Sequence, residues 1–145
     1  MKKFEFSIDI NASKEKVWHA LWDDASFRDW ANNIDEGTYI KGELKEGNEI
    51  QFLSAVNGYG VTSLVAEYKP NESILFRHSA DTQEYGEQER EKEWTGGEEG
   101  YSLTEKDGVT HLIITVDLPP EQEETFHIRL PIALGRIKTL AENEE

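Results

Sequence analysis

The sequence contains no cysteine, which excludes disulfides, thiolate metal ligands and cysteine nucleophiles together. It has no run approaching the ~18 apolar residues that a membrane-spanning helix requires. The opening stretch MKKFEFSIDI carries two lysines but alternates polar and apolar residues at once. A secretory signal needs a continuous apolar segment, so none is read there. The phosphate-binding patterns GxxxxGKS/T and GxGxxG are absent, as is a nucleophile elbow that would present a serine. Positive charge is scarce: 15 Lys and Arg stand against 30 Asp and Glu, a formal net charge of −15. Such a chain repels phosphate backbones and anionic headgroups, which argues against nucleic-acid and membrane-surface partners. The same charge favours solubility and offers a contact surface to a basic protein partner.

What is present fits one domain over residues 1–145, large enough to bury roughly 70% of its unfolded surface. Repeats and low-complexity segments are lacking, and the expected location is cytoplasmic. FEFSIDI alternates Phe4, Phe6, Ile8 and Ile10 against polar residues, the pattern of a half-buried strand. NASKEKVWHALW then supplies Ser13 as N-cap, Glu15 in the first turn, and Val17, Trp18, Leu21 and Trp22 on one helical face. DDASFRDWANN predicts a second short helix with Phe27 and Trp30 as its apolar pair. Strands are predicted over 38–45, 49–56, 61–68, 73–79, 94–105 and 109–118, separated by the turn-rich KEGN, NGYG, KPNE and KDG. The charged stretch Asp81 to Glu93 reads as a solvated connection.

The closing segment, LPPEQEETFHIRLPIALGRIKTLAENEE, carries a helical stripe through Phe126, Leu130, Ala133, Leu134, Ile137, Leu140 and Ala141. Pro131 interrupts it, and a kink or a helix start is expected there. The order β-α-α-β-β-β-β-β-β-α predicts an α+β fold. An antiparallel sheet of six to seven strands curls around the long C-terminal helix, a helix-grip (START/Bet v-like) architecture. The space between such a sheet and its helix is the usual place for an apolar ligand.

ASKEKVWHALWDDASFRDW resembles the strand-to-helix segment of the SRPBCC (START-like) superfamily. WTGGEEGYSLTEKDGVTHLIITVD and LPIALGRIKTLAE resemble the AHSA-type branch, homologous to the C-terminal domain of the heat-shock-protein-90 ATPase activator. The resemblance spans Phe4 to about Glu142. It implies the fold strongly and a function weakly, since the superfamily includes lipid and hydrophobic-ligand carriers, hormone receptors, polyketide cyclases and a chaperone activator.

Alternation along the strands assigns the cavity wall. Phe52 and Ser54 share one face with Ile50 and Val56. Thr62 and Leu64 share one with Ala66 and Tyr68. Phe76 places His78 on its side; Tyr101 carries Glu99 inward; the last strand contributes Ile114. The helix offers Phe126, Leu130, Leu134 and Ile137, and Trp94, beside glycines at a strand start, reads either as edge packing or as a ligand contact at the cavity mouth. Trp18, Trp22 and Trp30 have the spacing of packing residues.

His78 and Glu99 on one apolar face read either as an acid–base pair or as a satisfied histidine and a solvent-facing carboxylate. The four histidines fall on separate elements without ligand spacing, so neither metal nor cofactor is expected. Three functions follow. The first is binding of a hydrophobic or amphipathic small molecule or lipid. The second is a protein-interaction domain, chaperone-activator-like, with an acidic contact surface. The third is a cyclase- or hydrolase-like enzyme using His78 and Glu99. In EWTGGEEGYSLTE the strand pattern set by Tyr101 and Leu103 sends Glu98 to solvent and Glu99 inward, so the two glutamates are not a pair.

Overall fold

The computed structural model describes residues 1–83 and 93–144, so the charged connection read between Asp81 and Glu93 lies largely outside the described residues. Within them the chain runs β1 (Lys2–Ile10), α1 (Lys14–Trp22), α2 (Asp24–Ala31), β2 (Thr38–Lys41) and β3 (Glu49–Ser54). It continues as β4 (Tyr59–Lys69), β5 (Ser73–Gln83), β6 (Glu98–Lys106), β7 (Val109–Leu118) and α3 (Glu123–Glu142), the last entered through a 3-10 turn at Pro120–Gln122. Ser13 caps α1, its Oγ accepting from the Lys16 amide at 3.3 Å. β6 starts at Glu98 and not at Trp94, because Trp94 to Gly97 forms a turn that Gly96, at φ +93°, permits.

All strand pairs are antiparallel, in the spatial order β1-β7-β6-β5-β4-β3-β2. The curl comes partly from two irregularities between β4 and β5. Thr62 pairs with Ala80 but Ser63 pairs with His78, leaving Ser79 over; Val65 pairs with Phe76 but Glu67 with Leu75, leaving Ala66 over. At the other end of β4, a Cβ on Gly60 would lie 1.8 Å from the Phe52 carbonyl oxygen, so only glycine lets β3 and β4 approach so closely. With α3 held against the concave side, this is the helix-grip fold.

α3 packs Leu130, Ala133, Leu134, Ile137 and Ala141 against α1, α2 and β1. It runs through Pro131 as one helix from Glu123 to Glu142, so no helix starts there. Pro131 lies on the exposed face, where the carbonyl it leaves without a partner can be hydrated. Trp22, Phe27, Trp30, Phe52, Phe76 and Tyr101 pack mostly edge to face or tilted, with Trp22 stacked on Phe27 and ring centroids 4.7 to 6.4 Å apart, and fill one part of the interior. Trp30 donates its indole N–H to the Leu21 carbonyl at 3.0 Å. Among the described residues no helix is long and apolar enough to cross a membrane.

Candidate functional site

Beside this cluster, part of the interior is open. A cavity of about 320 Å³ lies between α2, the β3–β4 end of the sheet, the β5–β6 end, and the first turns of α3. That is the lower end of the ~300–1,000 Å³ typical of ligand pockets. Its wall is chiefly aromatic, with Phe27, Trp30, Phe52, Trp94 and Phe126 contributing. The Trp94 ring leans on Phe126 at 5.4 Å and lies 6.3 Å from the His78 ring.

Polar side chains also border the cavity, and two of them, Glu99 and His78, project from the neighbouring strands β6 and β5. Glu99 and Tyr101 lie on the same face of β6, and the Tyr101 hydroxyl donates to Glu99 Oε1 at 3.0 Å. Glu99 is half-buried, the open part of its surface bordering the cavity. Burial pushes its carboxyl up to about 7, with the Tyr101 hydrogen bond pulling weakly the other way. Burial and the neighbouring Glu99 raise the Tyr101 phenol well above its ordinary value, so it remains a donor.

The second group is His78, buried, with Nδ1 at 2.6 Å from the equally buried Ser63 hydroxyl. Burial drives His78 down to about 4 against the pull of Asp81 and Asp117, so the ring is neutral near pH 7. Glu99 pairs with Phe76, and His78 follows Phe76 by two residues on the same face. The two groups are therefore diagonal cross-strand neighbours, roughly 7–8 Å apart. Chemically, Glu99 exchanges a proton near neutrality, while His78 acts as a neutral hydrogen-bonding group.

Of the residues expected on the wall, Phe52, Ser54, His78, Trp94, Glu99, Tyr101 and Phe126 border the cavity. Ser54 does so with its hydroxyl already used, donating to the Glu36 carbonyl at 2.8 Å and accepting from Val56 and Asn57. Phe76, Ile114, Leu130, Leu134 and Ile137 are instead packed in the core and do not reach the open space, since α3 is pressed onto the sheet beyond its first turns.

Thr62 and Leu64 are on the opposite face, a correction of the expected register. Leu64 is exposed and Thr62 accepts from Gln51 Nε2 at 3.2 Å. The surplus Ala66 reverses the alternation, so a face counted back from Tyr68 lands on the wrong residues. Val61, Ser63 and Val65 are the inward set.

Several residues at the site carry no sequence signal of their own. Asp81 accepts from the Trp94 amide at 3.0 Å, the Thr95 amide at 2.9 Å and the Thr95 hydroxyl at 2.7 Å, so it holds the turn that presents Trp94. Burial opposes its ionisation, but those bonds outweigh it and keep the carboxyl below its ordinary range. Arg129 borders the cavity from α3 and donates to the Ile34 carbonyl at 2.8 Å. Thr125 borders it one turn earlier.

The remaining histidines are engaged elsewhere. His19 pairs with Glu144, His111 with Asp9, and His127 with the Glu123 carbonyl. Among the described residues no group of three or more His, Asp or Glu side chains is placed to hold a metal ion.

A curled antiparallel sheet gripping a C-terminal helix over a cavity defines an SRPBCC (START-like) protein. Residues 11–142 match the family described as Activator of Hsp90 ATPase homolog 1-like protein, and the chain belongs to that family. Among solved structures it is similar to the Aha1 dimer from Colwellia psychrerythraea, with 23% identity and a TM-score of 0.70, over 99% of this chain and 98% of that one. It is also similar to protein MLL2253 from Mesorhizobium loti, with 14% identity and a TM-score of 0.72, over 99% of each chain. A third likeness is to DynU16, a protein in the dynemicin biosynthetic locus, with 14% identity and a TM-score of 0.69. It covers 99% of this chain but 48% of that one, so the chain spans about half of DynU16. These likenesses establish the fold. No protein of curated function matches the chain significantly by sequence.

Proposed function

We propose that the protein binds a compact amphipathic small molecule in the cavity, with the ligand's polar group directed at Glu99 and His78 and its apolar body against the aromatic wall. One observation carries this reading. The Tyr101 hydroxyl occupies one oxygen of Glu99, and the other has no partner among the described residues and borders open space. A carboxyl kept half-protonated at neutrality, beside a neutral His78, suits a hydroxyl or carbonyl that donates or accepts. An acyl chain in the same place would leave the second oxygen of Glu99 without a partner, at about 1–3 kcal/mol. This argues for a ring-sized ligand bearing oxygen over a simple fatty tail.

Calorimetric titration tests the reading with two probes of one shape. 2-Naphthol is expected to bind one to one, and 2-methylnaphthalene about tenfold more weakly, since it cannot pair with Glu99. Equal affinities would remove the polar pole from the proposal, and no binding of either would remove the proposal.

A second reading rests on the family membership and the charge of −15. In it the acidic surface docks a basic protein partner, an association that weakens as salt rises. Pull-down at low and high salt separates it from ligand binding, which is nearly indifferent to salt.

A further inference from the structure

A second pocket, of about 300 Å³, opens on the other side of the aromatic cluster, beneath the α1–α2 junction. Among the described residues only Phe27 borders both spaces. The new pocket is walled by Trp18, Trp22, Phe27 and Tyr68, with Ile40 and Leu44 beside them and Asp23 and Asp24 at its lip. Trp22 is stacked on Phe27, with centroids 6.1 Å apart and planes 21° apart, while Trp18 is turned against both Trp22 and Tyr68. Trp18 and Trp22 are 6.2 Å apart at 69°, and Trp18 and Tyr68 are 5.9 Å apart at 43°, the geometry of a box corner.

The charges at the lip are unequal. Asp24 is already paired with Arg28 at 3.0 Å, and that guanidinium also lies 5.0 Å over the Tyr39 ring. The Asp23 carboxylate makes no hydrogen bond or ion pair among the described residues; the His19 pKa is raised chiefly by the hydrogen bond to Glu144, with Asp23 a smaller contributor. Among the described residues no lysine or arginine borders the pocket.

We propose that this pocket binds an organic cation of the quaternary ammonium class, its methyl groups against the Trp18, Trp22 and Tyr68 faces and its charge balanced by Asp23. Ring faces are negative and attract a cation that sheds its water easily. A metal ion or a primary ammonium needs several oxygen donors to replace its hydration, and the lip offers a single unpaired carboxylate. A neutral guest would gain nothing from Asp23. The site is independent of the cavity described above and stands or falls apart from it.

NMR titration reading the indole N–H signals tests this, because Trp18 and Trp22 report on the pocket and Trp94 on the cavity. Choline is the probe, and 3,3-dimethylbutan-1-ol is its uncharged analogue. The expected result is a saturable shift at Trp18 and Trp22 with Trp94 unmoved, and binding of the alcohol weaker by about fivefold or more. Asp23→Asn, which disturbs no side-chain cap, is expected to weaken choline and leave the alcohol unchanged. Tyr68→Leu is expected to weaken both. Equal binding of the two probes, a shift confined to Trp94, an unaltered Asp23→Asn variant, or no saturation by choline overturns the proposal.

Discussion

Tyr101 and Glu99 occupy adjacent positions on one face of β6, and the phenol donates to the carboxyl at 3.0 Å, where burial outweighs that bond in setting its ionisation. A strand sends alternate residues to the same face, so this contact is a direct product of the spacing of the two residues. A carboxyl held by a neutral donor is stabilised less than one held by arginine. Burial therefore dominates, and Glu99 titrates near neutrality.

The stability of the protein should report that carboxyl. Glu99 sits near 7 in the folded chain against an ordinary 4.5, so between those values the folded chain keeps a proton the unfolded chain has released. Stability then falls as pH rises through the window, and the cost is complete above about 7. Glu99→Gln removes it. Urea unfolding is expected to show the variant level with wild type at pH 4 and ahead by at most about 3 kcal/mol at pH 8. A variant less stable at pH 8 contradicts the assignment.

His78 should act with the opposite sign. Its folded value, about 4, lies below the ordinary 6.5, so the unfolded chain takes up the proton first as pH falls. The contribution is fully present above 6.5 and is lost between 6.5 and 4. In His78→Gln this loss on acidification is expected to disappear. Ser63→Ala, which strands the buried Nδ1, is expected to cost about 1–3 kcal/mol at pH 7. An unchanged acid limb in His78→Gln counts against the assignment.

Asp81→Ala removes the acceptor of three donors at the turn carrying Trp94. Stability is expected to drop by about 1–3 kcal/mol, with Trp94 emission shifting to the red and ligand affinity falling. Unaltered emission would show that the turn holds its shape without Asp81.

The boundary between core and cavity along α3 can be read from two truncations. Leu134 is almost fully buried, and Leu134→Ala is expected to cost about 2–5 kcal/mol. Thr125 borders open space one turn into the helix, and Thr125→Ala is expected to cost under about 0.5 kcal/mol. Comparable losses at both positions would mean that the cavity is not open.

Much of this was legible in the sequence. The alternation of FEFSIDI, the cap at Ser13 and the KDG hairpin define β1, α1 and the β6–β7 pair, because each depends on neighbours in the chain. Glu98 and Glu99 fall on opposite faces of β6 for the same reason, with Glu98 paired to Arg77 outside. Thr62 and Leu64 were misplaced because a surplus residue at Ala66 depends on how β4 meets β5, which no local pattern reveals. Leu134 and Ile137 belong to the same helical stripe as Phe126, and the stripe cannot say where along α3 contact with the sheet ends. Asp81 carries no local signal because its partners, Trp94 and Thr95, lie across a connection and are bonded mostly through backbone.

The most direct test of ligand binding in the cavity is NMR titration of the protein with 2-naphthol, read at the Trp94 indole signal. A saturable one-to-one shift is expected in the wild type, and its loss is expected in Thr125→Trp and in Asn57→Trp, both of which fill the cavity from exposed or half-buried positions without touching the core. A Trp94 signal that does not move in the wild type, or that moves equally in folded forms of both variants, would contradict the account.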